Sequence, residues 1–443
     1  MLSKASFAFV LLLTVISCED KVYEPQLVYG WNKTVIDGEE CETCMPAGIK
    51  LDQNGTIFVS FPRWKDNVIA TLTKFDTNSN TFSSWPSQEE NKIGDADKLQ
   101  SVLGFEIYKD IIYVLDQGKI NNQSAKKGSL KVVTYNTNTG ERKDTYDLSD
   151  YVDASDSFLN DIVIDPIKQY AYIANSGNPI DPTHQHNPSI LRLNLNQTEG
   201  KVDVKVLLGN HHYSIMPDMT YWLRINGTHV NTNSPMLTGV DGIALSCDYN
   251  VLYYTPLTSK TLYSIQLDVN VSAEIKVSEA YKNISSDGIL ASQNGILYMT
   301  SLEDGRIYFK DQMDNDLENF DYKKFQYVNG NLSTMWPDTL AFYNKSLYYI
   351  SNQLNNFVSD PINIDFDNPK TGRDNFRIYK VSIDDNSYIY GCINSGYTWT
   401  LWNIIIWIIF AVLILIVLSF VLMSSHKQEE TVDKHMSIGL NRE

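Results

Sequence analysis

Residues 240–265 read VDGIALSCDYNVLYYTPLTSKTLYSI. An Asp-Gly pair opens a short apolar run, the chain turns at Asp248-Tyr249-Asn250, and it resumes as Val251-Leu252-Tyr253-Tyr254. After a second turn comes Thr261-Leu262-Tyr263-Ser264-Ile265. Short runs of β-branched, aromatic and aliphatic residues between Asn, Asp and Ser turns are strand signals, and such tight connections make the strands antiparallel. Working outward, the same unit begins at residues 48, 104, 160, 241, 287 and 338, at spacings of 56, 56, 81, 46 and 51. Each copy is an apolar strand, a polar turn, a Leu/Ile-Tyr-aliphatic type of strand, and then a third strand.

Repeats of this kind, near ~40–50 residues with longer loops, are the spacing of propeller blades. A lone meander cannot bury both faces, whereas radial stacking lets each blade cover its neighbours. Tandem β-sandwiches are the rival, but each would need roughly a hundred residues and a longer internal period. The expected fold is therefore all-β, a six-bladed β-propeller, with Gln26-Leu27-Val28-Tyr29 adding an outer strand to the last blade. The long third spacing leaves an insertion of about thirty residues within 194–240, a lid, a partner surface or a simple excursion.

The ends of the chain set its compartment. Residues 1–18 have a lysine, an apolar core and a small-residue exit, the pattern of a secretory signal peptide. Residues 401–423 are almost wholly aliphatic, with Trp402 and Trp407 at the outer end, long enough for a transmembrane helix. The expected order is signal peptide 1–18, propeller ectodomain 19–390, juxtamembrane stalk 391–400, span 401–423 and cytoplasmic tail 424–443. This is a single-pass type I membrane protein at the cell surface or in a secretory-pathway membrane. Sequons at Asn32, Asn54, Asn122, Asn196, Asn226, Asn270, Asn283, Asn331 and Asn344 all fall in the ectodomain, as glycosylation sites would. Cys41, Cys44, Cys247 and Cys392 are an even set for disulfides, with three possible connectivities. A formal charge of −17 argues against nucleic acid as a partner.

The first strand of a propeller blade lines the central channel. Glu106, Asn160, Asp161, Asp241, Asp287 and Asp338 stand at or near those strand starts. Several carboxylates around one channel could bind a ligand, and Glu106, Asp161, Asp241 and Asp287 could hold Ca²⁺, which takes six to eight oxygens. Alternatively, each Asp caps a turn through backbone N–H groups. His184, His186, His211 and His212 sit in polar loops and read as solvated. The common hydrolase and nucleotide-binding motifs are absent, so no catalytic residue is assigned.

These residues also carry a resemblance. FPRWKDNVIATL (residues 61–72) resembles the Pro-Arg-Trp-Lys…Ala-Thr-Leu signature of the major royal jelly and yellow protein family. YVLDQG (113–118), NDIVID (160–165), the Asp241-Gly242…Ala244-Leu245-Ser246 blade, WPD (336–338), ISN (350–352) and NFRI (375–378) follow in family order. Departures are Asn67-Val68-Ile69 for Gly-Val-Pro, Tyr113 for Trp, and the membrane span. The resemblance implies a six-bladed propeller. It further implies an amine ligand in the channel with Asn352 taking part, or pigment chemistry such as dopachrome isomerisation. The expectation is a membrane-anchored propeller that binds a small amine-like ligand or an extracellular protein rather than turning over a substrate. The alternative is a propeller enzyme, dopachrome-isomerase-like or a calcium-dependent lactonase.

Overall fold

The computed structural model describes residues 23–178, 187–196, 201–209, 211–267, 277–311, 323–324, 336–359, 374–393 and 405–420. The expected signal peptide lies outside them, as do His184, His186, Asn270 and Asn331. The chain divides into two units, residues 1–392 and 393–443.

The first unit is a six-bladed β-propeller. Blade 2 (strands Val102–Tyr108, Ile111–Asp116, Lys131–Asn136, Arg142–Asp147), blade 3 (Leu159–Asp165, Tyr170–Asn175, Ser189–Asn194, Val204–Leu208) and blade 4 (Val240–Leu245, Val251–Pro256, Thr261–Gln266, Val277–Lys282) are four-stranded antiparallel meanders. Blade 5 runs from Ile289–Ala291 through Ile296–Ser301 and Arg306–Asp311 to Lys323–Lys324. Blade 1, with inner strand Ile49–Leu51, is widened to six strands by Thr34–Ile36 and Glu39–Cys41. Blade 6 (Trp336–Tyr343, Ser346–Asn352, Phe376–Ser382) takes its outer strand from Gln26–Trp31, antiparallel to Phe376–Ser382. The two ends of the propeller thus close one sheet, as the repeat reading expects.

The inner strands touch in chain order around the ring, blade 6 returning to blade 1. They are buried on both faces, as Val240–Leu245 is throughout. Two glycines explain how closely the blades approach. A Cβ added to Gly242 would collide with the Asp287 carbonyl oxygen, and one on Gly288 with that of Asp338. The glycine of the recurrent Asp-Gly is therefore needed where backbone meets backbone.

The long spacing proves shorter than an insertion of 194–240. Val204–Leu208 is the fourth strand of blade 3, paired with Ser189–Asn194, and the extra chain begins after it. That extra chain holds a 3₁₀ turn, Tyr213–Ile215, and a small hairpin of Arg224–Ile225 with Thr228–His229. Leu223, Ile225 and Val230 from it pack with Leu257, Leu302 and Trp336 in a separate apolar cluster. Both disulfides form, Cys41–Cys44 and Cys247–Cys392.

In the second unit, residues 405–420 are helical and exposed. Among the described residues no helix is long and apolar enough to cross a membrane.

Gly242→Ala is expected to destabilise the propeller by about 3 kcal/mol, the scale of overpacking against atoms that cannot move. Urea unfolding reads this directly, and an unchanged midpoint would show that the two strands tolerate a side chain between them.

Candidate functional site

Four inner strands break register at the channel, between Val102 and Phe105, Leu159 and Ile162, Val240 and Ile243, and Pro337 and Leu340. Such bulges take a residue pair out of the ladder and re-aim its side chains. The pairs here include Asn160-Asp161, Asp241-Gly242 and Asp338-Thr339. With Asp287, which immediately precedes Gly288, they bring Asp161, Asp241, Asp287 and Asp338 around one narrow space.

Above that space lies a cavity of about 530 Å³. Asp241, Asp287 and Asp338 line its deep end, together with Asn160. Its walls are mainly apolar: Leu103 and Phe158 from blades 2 and 3, Met236 and Leu237 from the extra chain, and Leu354, Phe357 and Val358 from the helix Leu354–Ser359. Trp64 and Lys65 complete the wall, with Trp64 5.8 Å from the Phe357 ring and the Lys65 ammonium 5.4 Å from it. The extra chain after blade 3 therefore forms part of the site wall, while His212 turns aside to bond Ser214.

Each carboxyl group has partners. Asp241 is hydrogen-bonded to Asp287, which also accepts the Trp336 indole N–H. Two carboxyl groups can share such a bond only through a proton. Asp338 accepts the Asn352 amide at 2.7 Å and the Thr339 hydroxyl at 3.1 Å. Asp161 accepts the N–H groups of Ile162 (2.8 Å) and Ile243 (3.3 Å). Burial, then the charges of Asp287, Asp338 and Asp161, pushes Asp241 well above the carboxylate range. Burial and Asp287 do the same to Asp338. Burial raises Asp161 to about 6 against the pull of Lys50, and Asp287 to about 6 against the bonds from Trp336 and Asp241.

Glu106 lies farther along its strand, outside the large cavity. One oxygen accepts the Ile107 N–H at 2.9 Å and the other faces Lys50 at 3.5 Å. Lys50 also donates to the Leu340 carbonyl. A pattern of acids does not point to this buried lysine, yet the repeat marks it: Lys50 follows Gly48 as Glu106 follows Gly104. Among the described residues no group of three or more His, Cys, Asp or Glu is placed to hold a metal ion. The oxygens of Glu106, Asp161, Asp241 and Asp287 instead meet the N–H groups, the ammonium and the shared proton described above.

Asn352 does not line the large cavity. It is buried beneath Asp338, its amide donating to Asp338 and to the Pro46 carbonyl (2.9 Å) while its oxygen takes the Leu354 N–H (3.0 Å). It thereby positions one floor carboxyl and the start of the wall helix. Arg63 works similarly in the 61–72 segment. Fully buried, it donates to the Leu99 carbonyl at 2.9 Å and to those of Gln100 and Asn91, fixing the loop that presents Trp64 and Lys65.

Acids raised above their unfolded value of about 4 give the native state extra protons, from about pH 4 to about pH 6 for Asp161 and Asp287 and through the raised range of Asp241 and Asp338, so stability falls as pH rises through that window. Asp241→Asn is expected to raise the Tm at pH 8 and to flatten the fall between pH 5 and pH 8. A lower Tm at pH 8 in a scan of both proteins would mean that a charged Asp241 stabilises the fold.

No curated protein matches the chain. Among solved structures it is similar to a luciferin-regenerating enzyme (12% identity, 81% of this chain and 95% of that one, TM-score 0.47) and to the calcium-binding regucalcin of Agrobacterium tumefaciens (14%, 78% and 92%, 0.45). It is also similar to a gluconolactonase of Xanthomonas campestris (9%, 81% and 89%, 0.44). Similarity at this level says nothing of ligand or activity. The sequence pattern of the major royal jelly proteins matches residues 101–180 and 216–392, which takes in blade 2, the two inner strands of blade 3, blades 4 and 5, and blade 6 apart from its outer strand Gln26–Trp31. With more than half of its length matched, the chain belongs to the major royal jelly protein family.

Proposed function

We propose that this protein is a membrane-anchored extracellular propeller that holds a small organic cation in its 530 Å³ cavity. The observation that carries this reading is the union in one cavity of three buried carboxyl groups with an apolar, partly aromatic wall. An ammonium group offers three donors to Asp241, Asp287 and Asp338, and the ligand body rests against Phe158, Phe357 and Met236. Aromatic faces add attraction for a cation. A cationic ligand also favours the ionised form of carboxyl groups that burial and mutual repulsion otherwise hold protonated.

In this reading residues 1–18 are a cleaved signal, the ectodomain faces the cell exterior or a secretory lumen, and residues 401–423 cross the bilayer ahead of the tail 424–443. The helical residues 405–420 support it by leaving Trp407, Leu415 and Phe420 about two-thirds exposed, surface suited to lipid rather than water. So do the exposed sequon residues Asn54, Asn196, Asn226, Asn283 and Asn344. Asn32 and Asn122 are half-buried. A second reading, proton transfer on a bound substrate, is favoured by the Asp241–Asp287 hydrogen bond, which pairs an acid with a base.

Calorimetric titration of the detergent-solubilised protein with primary aromatic and aliphatic amines tests the first reading. Asp241→Asn combined with Asp338→Asn should weaken binding at least tenfold, and Asn352→Ala several-fold through the loss of Asp338 orientation. Absence of heat with every amine would remove it. For the anchor, alkaline carbonate should leave the full chain in the membrane pellet and release a chain truncated after Thr400. Release of both would exclude a span.

A further inference from the structure

The channel has a second end, three to four residues farther along the same inner strands. There a small space of about 30 Å³ lies among Lys50, Glu106, Leu290 and Phe342, and residues 387–390 cover it. This segment belongs to no blade. After the last strand, Ile383 and Asp384 bond back to the Lys345 carbonyl at 3.0 and 3.1 Å. The chain then crosses the ring: Ser387 bridges Ser292 of blade 5, and the Tyr388 hydroxyl accepts the Ile164 N–H of blade 3 at 3.0 Å. Tyr390 meets the Tyr108 ring of blade 2 at 6.2 Å, and Tyr249 of blade 4 donates to the Ile389 carbonyl at 3.1 Å. Tyr388 is completely buried and Ile389 nearly so. The last residue of this crossing, Cys392, is bonded to Cys247, 145 positions earlier.

We propose that residues 383–392 are a stopper for the channel, latched by the Cys247–Cys392 bond, and that reducing this bond releases the stopper and opens the channel at its second end. A segment at the edge of a compact unit that belongs to no blade depends on its tertiary contacts and on any covalent tie at its end, and it is the part that opens locally when the tie is lost. The tie is reachable, since Cys247 is buried but Cys392 is half-buried. While it holds, ligands reach the carboxyl floor from one side only. With it broken, Lys50 and Glu106 face solvent. Reduction needs an external thiol donor, which converts the disulfide to two cysteine thiols and is itself oxidised to a disulfide. The stopper operates whatever the large cavity binds, and its test uses no ligand.

The test compares the full chain in detergent in three forms: oxidised, reduced and alkylated, and Cys247→Ser with Cys392→Ser. Hydrogen exchange should speed at least tenfold in peptides covering 383–392 and at the Ile164 amide, while the blade 4 strand Thr261–Gln266 keeps its protection. Acetylation of Lys50 by acetic anhydride should rise at least tenfold in the two unlatched forms. Should the serine variant fail to fold, the reduced wild-type chain gives the same reading. Unchanged protection of 383–392, unchanged Lys50 acetylation, or equal loss of protection throughout blade 4 would each overturn the proposal, the last by making the bond a general staple.

Discussion

Where blade 4 meets blade 5, the backbone at Gly242 lies directly against the Asp287 carbonyl, with no room for a side chain between them. Gly288 stands in the same relation to Asp338. Six inner strands must share one axis, and this closeness leaves the channel too narrow for large side chains at the carboxyl level. Bulges solve the resulting crowding by taking a residue pair out of the ladder on four of the six inner strands. On three of those strands the aspartates of the freed pairs reach the same narrow space. Closure of the ring and convergence of the acids are consequences of one packing requirement.

Convergence has an electrostatic cost, because like charges in a poorly solvated space cannot all ionise. The protein offsets it locally. Trp336 and Asn352 supply donors, Lys50 supplies the cation beside Glu106, and Asp241 keeps a proton shared with Asp287. Different parts of the channel thereby acquire different character. Loops from several blades wall a wide apolar chamber above the acids, a lysine-glutamate pair lies below them, and the C-terminal crossing covers the far end.

Legibility followed sequence distance. Every strand of the Asp-Gly unit at 240–265 could be read from local pattern, since a turn and two apolar runs within 26 residues encode a meander. Asp241, Asp287 and Asp338 were found because each opens a repeat. Lys50 is equally marked by its place after Gly48, but a single lysine among acids carries no chemical pattern of its own. Val204–Leu208, half exposed as an outermost strand, lacks a strong strand pattern, so the sequence alone places it in the insertion. The cavity wall had no local signal. Phe158, Met236 and Phe357 lie 78 and 121 positions apart, and nothing near Asn352 in sequence announces that its partners are Pro46 and Asp338.

Strand periodicity, the number of blades and the family are legible in the chain alone, because each is written in residues close together or in ordered repetition. Tertiary structure alone decided which cysteines pair, that Asn352 serves a carboxyl rather than the cavity surface, and that the chain after blade 3 walls the site. It also placed the segment after the last strand across the channel. The physical reason is that ring closure brings residues hundreds of positions apart into contact at a single axis. Burial, charge and hydrogen bonding at that axis depend on all six blades at once.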